Sequence, residues 1–319
     1  MASSVSSTVP DSTQYYIVVP QQKTKKKLNV LESGLGVMAG AATSSLVKNG
    51  IALPYSNLWS KYNNTLYDYL KSNNHISAFE NNTQKCFEKS GLKDVGVKVI
   101  DASKTSVEEY EKMINPVIEK VIKFKNFPEL ENMYKKFIKY LYKAVFKMVK
   151  AGENSFFAPA FNMIIGNKNS KMLPALPHEM GHAINYHNGG LLKYLQISGA
   201  LSSKLAPPVI LLTALFKNKK EEGEKPKGIF DKVTTFVKDN CGKLTFLAFI
   251  PTLIEEASAS IKGIDLSKQF LSKENLGVLK RFNLAAWSTY FVFALASSLG
   301  VNLASKASDG VKNHFRKEV

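Results

Sequence analysis

"LPHEMGHAIN", residues 176–185, places His178 and His182 four positions apart, with Glu179 directly after the first histidine. On an α-helix, residues i and i+4 share a face, about 40° apart around the axis, so the two imidazoles can aim nitrogens at one point. Glu179 is turned about 100° from His178, beside the pair, where a carboxylate can hold a metal-activated water and take its proton. Gly181 leaves room for a close neighbour against the same turn. A catalytic zinc keeps three protein ligands and one open position, so the stretch calls for a third group from elsewhere in the chain.

His187 is the nearest candidate, but it fails the H-E-x-x-H-x-x-G-x-x-H spacing. Asn185 stands where that pattern needs glycine, and Asn188 where it needs the third histidine. Glu221, Glu222 and Glu224 lie among lysines in "KNKKEEGEKPKGIFDK" (217–232) and read as solvated. Glu255 and Glu256 differ, because they follow directly on the apolar run "LTFLAFIPTLI" (244–254). Carboxylates are seldom placed beside core or membrane-depth helices without a partner, so either of the two can complete a metal site.

The 319-residue chain carries a formal charge of +17, yet its apolar residues are gathered into long uncharged runs with lysine-rich flanks. That distribution favours a membrane protein over a nucleic-acid binder, since no basic-aromatic recognition motif accompanies the charge. Nucleic acid is therefore not an expected partner; the lipid bilayer is. Cys86 and Cys241 are too few and too far apart for a disulfide framework or a cysteine zinc site.

The runs divide the chain. Residues 1–32 are polar and read as a disordered tail. "SGLGVMAGAATSSLV" (33–47), extended to about residue 53, is either a membrane anchor or a buried helix. Residues 54–190 read as a soluble α+β region. It has a strand at "VGVKVID" (95–101), a helix opened by Ser106 that Pro116 can kink, an amphipathic helix over 129–150 and a strand at "FNMIIGN" (161–167). Residues 191–261 read as a membrane hairpin around a charged loop at 217–243. Residues 262–319 hold the uncharged run "NLAAWSTYFVFALASSLGVNLAS" (283–305), long enough to cross a bilayer, and a basic tail.

Three stretches resemble a known family. "ENSFFAPAFNMIIGN" (153–167), "LPHEMGHAIN" (176–185) and "EASAS" (256–260) are similar, in that order, to motifs of the membrane-bound zinc metallopeptidases of the M48 (Ste24/HtpX-like) clan. They are closer still to the YugP-type neutral zinc metallopeptidases. The resemblance covers roughly residues 153–305. It implies a mainly helical α+β fold: a zincin-like core with a small sheet and an edge strand, joined to several transmembrane helices. It implies one Zn²⁺ held by His178, His182 and Glu256, because Ala259 and Ser260 then fall at the positions the family pattern requires after that glutamate. Glu179 would be the catalytic base and acid. "FNMII" would be the edge strand that holds a peptide or protein substrate, through Asn162, Met163 and Ile164, with Asn154 nearby. Tyr186 is either an oxyanion donor or a packing residue. Ser260 departs from the aspartate usual in the M48 proteases.

These readings give an integral-membrane zinc endopeptidase as the expected function. The alternative is a non-catalytic membrane protein with a structural or degenerate zinc site and a basic face for lipid or a partner. Spans at about 33–53, 195–216, 244–261 and 284–305 would put the basic segments on one side. The positive-inside rule then makes the zinc domain extracytoplasmic.

Overall fold

The structure, a computed structural model, describes residues 30–218 and 226–316. Residues 1–29 of the polar tail, with its lysine run at 23–27, lie outside the described residues, as do residues 219–225 of the charged loop; residues 30–32, expected in the disordered tail, open the first helix instead.

Two long helices form the spine. α1 (Val30–Ser72) and α10 (Lys273–Arg316) run antiparallel along each other. Small residues let their backbones approach: a Cβ on Gly40 would sit 2.7 Å from the Ala304 carbonyl, and one on Gly300 3.1 Å from that of Ser44. Further along, Tyr55 hydrogen-bonds Ser288 at 2.5 Å and Trp59 meets Phe282 at 5.4 Å between ring centroids. The expected boundary between an anchor ending at 53 and a soluble region starting at 54 is corrected by this pairing. Pro54 sits inside α1, which continues unbroken because α10 grips it on both sides of the proline.

After α1 come α2 (Ile76–Lys89), β1 (Lys98–Asp101), α3 (Val107–Val121), α4 (Pro128–Lys150), β2 (Phe156–Ala158), β3 (Met163–Gly166) and α5 (Leu176–His187). α3 starts with a full capping box: Ser106 Oγ accepts from the Glu109 N–H and the Glu109 carboxylate accepts from the Ser106 N–H. The sheet order is β1-β3-β2, with β1 parallel and β2 antiparallel to β3. Alternation on β3 feeds two cores. Ile164 packs with Leu70, Phe79, Leu176 and Met180, while Met163 and Ile165 pack with Tyr110, Ile114 and Phe146 of α3 and α4.

"FNMII" is thus not an edge strand. β3 is paired on both sides, and the edge that lies beside α5 is β2.

α6 (Gly190–Phe216) leads away from α5. α7 (Ile229–Asp239), α8 (Cys241–Leu247) and α9 (Ile250–Ser267) return. The expected loop at 217–243 therefore contains an eleven-residue helix, α7, and the start of α8. Among the described residues, four helical stretches are long and apolar enough to cross a membrane: Val30–Ser72, Gly190–Phe216, Cys241–Ser267 and Lys273–Phe315. The start of α1, the end of α6, α7 and the end of α10 meet at one end of the bundle. There Lys238 Nζ donates to the Ala214 carbonyl and pairs with Asp309, each at 2.8 Å, and Lys312 donates to the Leu215 carbonyl. Gly36 packs on the Lys312 side chain.

Away from that bundle, α3 and α4 are clamped to each other by half-exposed Glu119, which accepts from Lys135 and Lys139 at 2.8 Å each. These two hydrogen bonds hold its carboxyl down at about 2. A depressed carboxyl contributes stability above its unfolded value, about 4.3, and that contribution is lost as pH falls from there towards 2. Glu119→Gln is expected to flatten this part of the acid limb of a melting-temperature profile. The difference should shrink in about 1 M salt, because the pair is screened. An unchanged acid limb in the variant would show that the clamp contributes nothing.

Candidate metal centre

α5 and α9 cross at glycine. A Cβ on Gly181 would lie 2.1 Å from the Ala259 carbonyl oxygen, and one on Gly263 2.5 Å from that of Pro177. This close crossing brings the α9 carboxylates to the α5 histidines. His178 Nε2 and His182 Nε2 are 2.9 Å apart, and Glu256 Oε2 lies 3.2 Å from the first and 3.5 Å from the second. All three side chains are buried.

The outer partners fix which ring nitrogen is free. His182 Nδ1 is 2.8 Å from Glu255 Oε1, and a carboxylate only accepts, so Nδ1 carries a proton and the lone pair of the neutral ring is on Nε2. His178 Nδ1 is 3.0 Å from Ser260 Oγ, a hydroxyl that can accept from it and so leave Nε2 free for a metal. Glu255 is itself oriented by Asn185 at 3.2 Å, and Asn185 by Ser258 at 3.3 Å. Three donor atoms so placed repel one another unless a positive charge, a metal ion or a proton, sits among them. Donors of a tetrahedral shell with bonds of about 2.0–2.1 Å stand roughly 3.3 Å apart, close to the spacing here. The buried His and Glu groups can therefore hold a metal ion. The facing carboxylates of Glu256 and Glu255 raise the His182 imidazole well above its usual range against the opposing effect of burial, so a metal ion binding there displaces a proton.

Glu179 stands beside this triangle. Its Oε2 accepts from the Phe157 N–H at 2.8 Å and its Oε1 lies 3.4 Å from Ser155 Oγ. Burial raises its carboxyl, and the two histidines partly offset this. A cavity of about 910 Å³ opens between α1, α6, α9 and α10; Trp59, Leu195, Phe249, Tyr290 and Phe293 line it, and Glu256 is in its wall. Tyr290 stands in the same cavity wall as Glu256.

The expected site residues are thus divided. His178, Glu179, His182 and Glu256 come together; Glu255 stands behind His182 rather than among the converging atoms. Asn162 is elsewhere. In a left-handed conformation at φ 57°, it bonds the Val95 carbonyl at 2.9 Å and His187 Nε2 at 2.7 Å, which closes the turn before β3. His187 is accounted for by that contact. Met163 and Ile164 are buried in the sheet centre and have no free edge to offer a substrate. Asn154 is partly buried, but the side chain that reaches Glu179 is that of its neighbour Ser155. Tyr186 packs on Phe157 at 5.9 Å between ring centroids and carries Lys193 Nζ over its face at 4.5 Å. Sequence reasoning missed Ser155, the Phe157 N–H, Asn185 and Tyr290. For Asn185 a signal existed, since it lies on the histidine helix one turn below Gly181.

Comparison with protein-family models, curated proteins and solved structures finds no match to this chain.

Proposed function

We propose that the chain is an integral-membrane zinc endopeptidase. The observation that carries this reading is the joint placement of three converging donors, His178 Nε2, His182 Nε2 and Glu256 Oε2, with a separately held carboxylate, Glu179, at their side. Zinc, when bound, supplies an activated water of pKa about 7 and a Lewis acid for the peptide carbonyl. Glu179 takes the water's proton on its carboxylate and passes it to the leaving amine nitrogen. A substrate strand adds to the outer edge of β2, beside Glu179, and its side chains enter the cavity that reaches Glu256. Tyr290, in the same cavity wall as Glu256, is the donor we assign to charge developing on the carbonyl oxygen. The basic end of the bundle faces the cytoplasm, which makes the metal centre extracytoplasmic.

The test is zinc content by elemental analysis of detergent-purified protein. Wild type is expected to hold one zinc per chain, and Glu256→Ala none. Glu255→Gln is expected to fill at saturating zinc with affinity weaker by about 10–100-fold, since it orients a ligand without being one. Zinc binding by Glu256→Ala at wild-type affinity would remove Glu256 from the ligand set.

A second reading has its own observation. Donor atoms of His178, Glu179 and His182 lie within 4.8 Å of one another, so Glu179 can also be a ligand in a closed, structural site. In that case the protein is a membrane scaffold whose basic face meets lipid or a partner.

A further inference from the structure

α7 is amphipathic the wrong way round for a helix in water. At about 100° per residue, Ile229, Phe230, Val233 and Phe236 share one arc of the helix, while Asp231, Thr234, Thr235 and Lys238 share another. The apolar arc is the exposed one: Ile229 and Phe230 are each 82% exposed, Phe236 58% and Val233 54%. The polar arc faces the protein, where Lys238 is buried on Asp309, Ser305 and the Ala214 carbonyl and Asp231 accepts from Lys217. Lys232 and Asp239 lie on a third, exposed arc. A helix with protein, water and an exposed apolar face on three separate sides fits the boundary of a bilayer.

Its neighbours set the height. α7 follows one candidate span, α6, and leads into another that begins at Cys241. Lys238 ties it to Ala214, near the end of α6. From there the rise along α6 to Gly199 is about 22 Å. Gly199 packs on the Thr252 backbone, and from Thr252 to Glu256 along α9 is about 6 Å more. The total, about 28 Å, is close to the thickness of a bilayer's hydrocarbon core, about 30 Å. Exposed Lys227, Lys232 and Lys306 at the same end complement anionic headgroups.

We infer that α7 lies in the plane of an anionic bilayer surface with its Ile229, Phe230, Val233 and Phe236 face in lipid, and so holds the metal centre at the opposite headgroup layer. This rests on the membrane part of the proposed function and not on proteolysis, so it can fail while the peptidase reading stands.

The experiment uses the full chain in sealed vesicles of phosphatidylcholine and phosphatidylglycerol, with single nitroxide labels at Phe230→Cys, Phe236→Cys and Lys232→Cys. Cys86 and Cys241 are buried, and unmutated protein serves as the labelling blank. Labels at 230 and 236 are expected to be relaxed by oxygen and to be several-fold less accessible to a water-soluble nickel chelate than the label at 232. An impermeant thiol reagent is expected to modify Lys232→Cys and Glu153→Cys, on the exposed surface beside β2, from opposite faces, as complementary fractions. Equal chelate access at 230, 236 and 232 would place α7 in water and overturn the inference. Spin–spin broadening that disappears on dilution with unlabelled protein would show a second copy on the face, and would also overturn it. Modification of 232 and 153 from the same face would overturn the depth assigned to the metal centre.

Discussion

Glu179→Gln is expected to bind zinc as wild type does and to cleave an unfolded, fluorophore-labelled protein about 10²–10⁴-fold more slowly, the usual size of a general acid–base contribution. The reason is in the contacts of the carboxylate. Its two oxygens accept from the Phe157 N–H and approach Ser155 Oγ, so the group is positioned by β2. A glutamine keeps an oxygen to accept from the Phe157 N–H and keeps the volume, so folding should be unaffected. It has no basic oxygen to carry a proton between water and the leaving amine. The measurement pairs the cleavage rate with elemental analysis on the same preparation. Full activity in the variant would end the peptidase reading. Loss of zinc would make Glu179 a ligand and favour the closed structural site, which is why the two numbers must come from one sample.

How much of this could be read from the sequence depends on how local each feature is. The alignment of His178 with His182 needs only helical geometry within one turn, and it is visible in five residues. Glu256 is harder, because it comes from a helix beyond α6 and α7. Burial at the end of an apolar run singled out Glu255 and Glu256 together, and only the family resemblance separated them. What separates them in the fold is α9 geometry: about 100° of helical turn sends one carboxylate to the front of the imidazoles and the other behind His182. The centrality of β3 was not legible at all. β2 is three residues, "FFA", too short to show alternation, and β1 lies some sixty positions upstream, so nothing local states which strand is in the middle. α7 was hidden differently. "IFDKVTTFVKD" has helical apolar spacing, but its lysine-rich surroundings read as a solvated loop, and its apolar face does not turn inward. The boundary drawn at residues 53 and 54 fails for a non-local reason: Pro54 is carried inside α1, whose course on both sides is set by contacts with α10 more than two hundred residues away.

The second large effect is expected from a residue with no side chain. Gly181→Ala should lose zinc and lower the melting temperature, although it touches neither ligand nor substrate. The added Cβ would lie 2.1 Å from the Ala259 carbonyl oxygen, 2.7 Å from its carbon and 2.8 Å from the Ala259 Cα. All three are backbone atoms of α9, so no rotamer change relieves the clash, and the helices must part by about 1 Å. Overpacking of this kind costs about 1–3 kcal/mol. The metal centre is more sensitive than the fold, because the contacts that bring Glu256 to the histidines and orient both rings cross this same interface. His178 to Glu256, His178 to Ser260 and His182 to Glu255 all run from α5 to α9, at 2.8–3.2 Å. An opening of about 1 Å takes Glu256 out of bonding range of a metal held by the histidines and frees the two rings from the groups that orient them. Gly277→Ala is the control, since a Cβ there meets nothing within 4 Å and a helical glycine replaced by alanine gains up to about 1 kcal/mol. The pair separates the loss of a close approach from the substitution of a helix glycine as such. If Gly181→Ala held one zinc at wild-type affinity, the α5–α9 crossing could not be what assembles the donors, and a more pliant bundle would have to be admitted. If zinc is lost while the melting temperature falls by only a few degrees, the glycine acts chiefly through the spacing of two helices on which the whole ligand set depends.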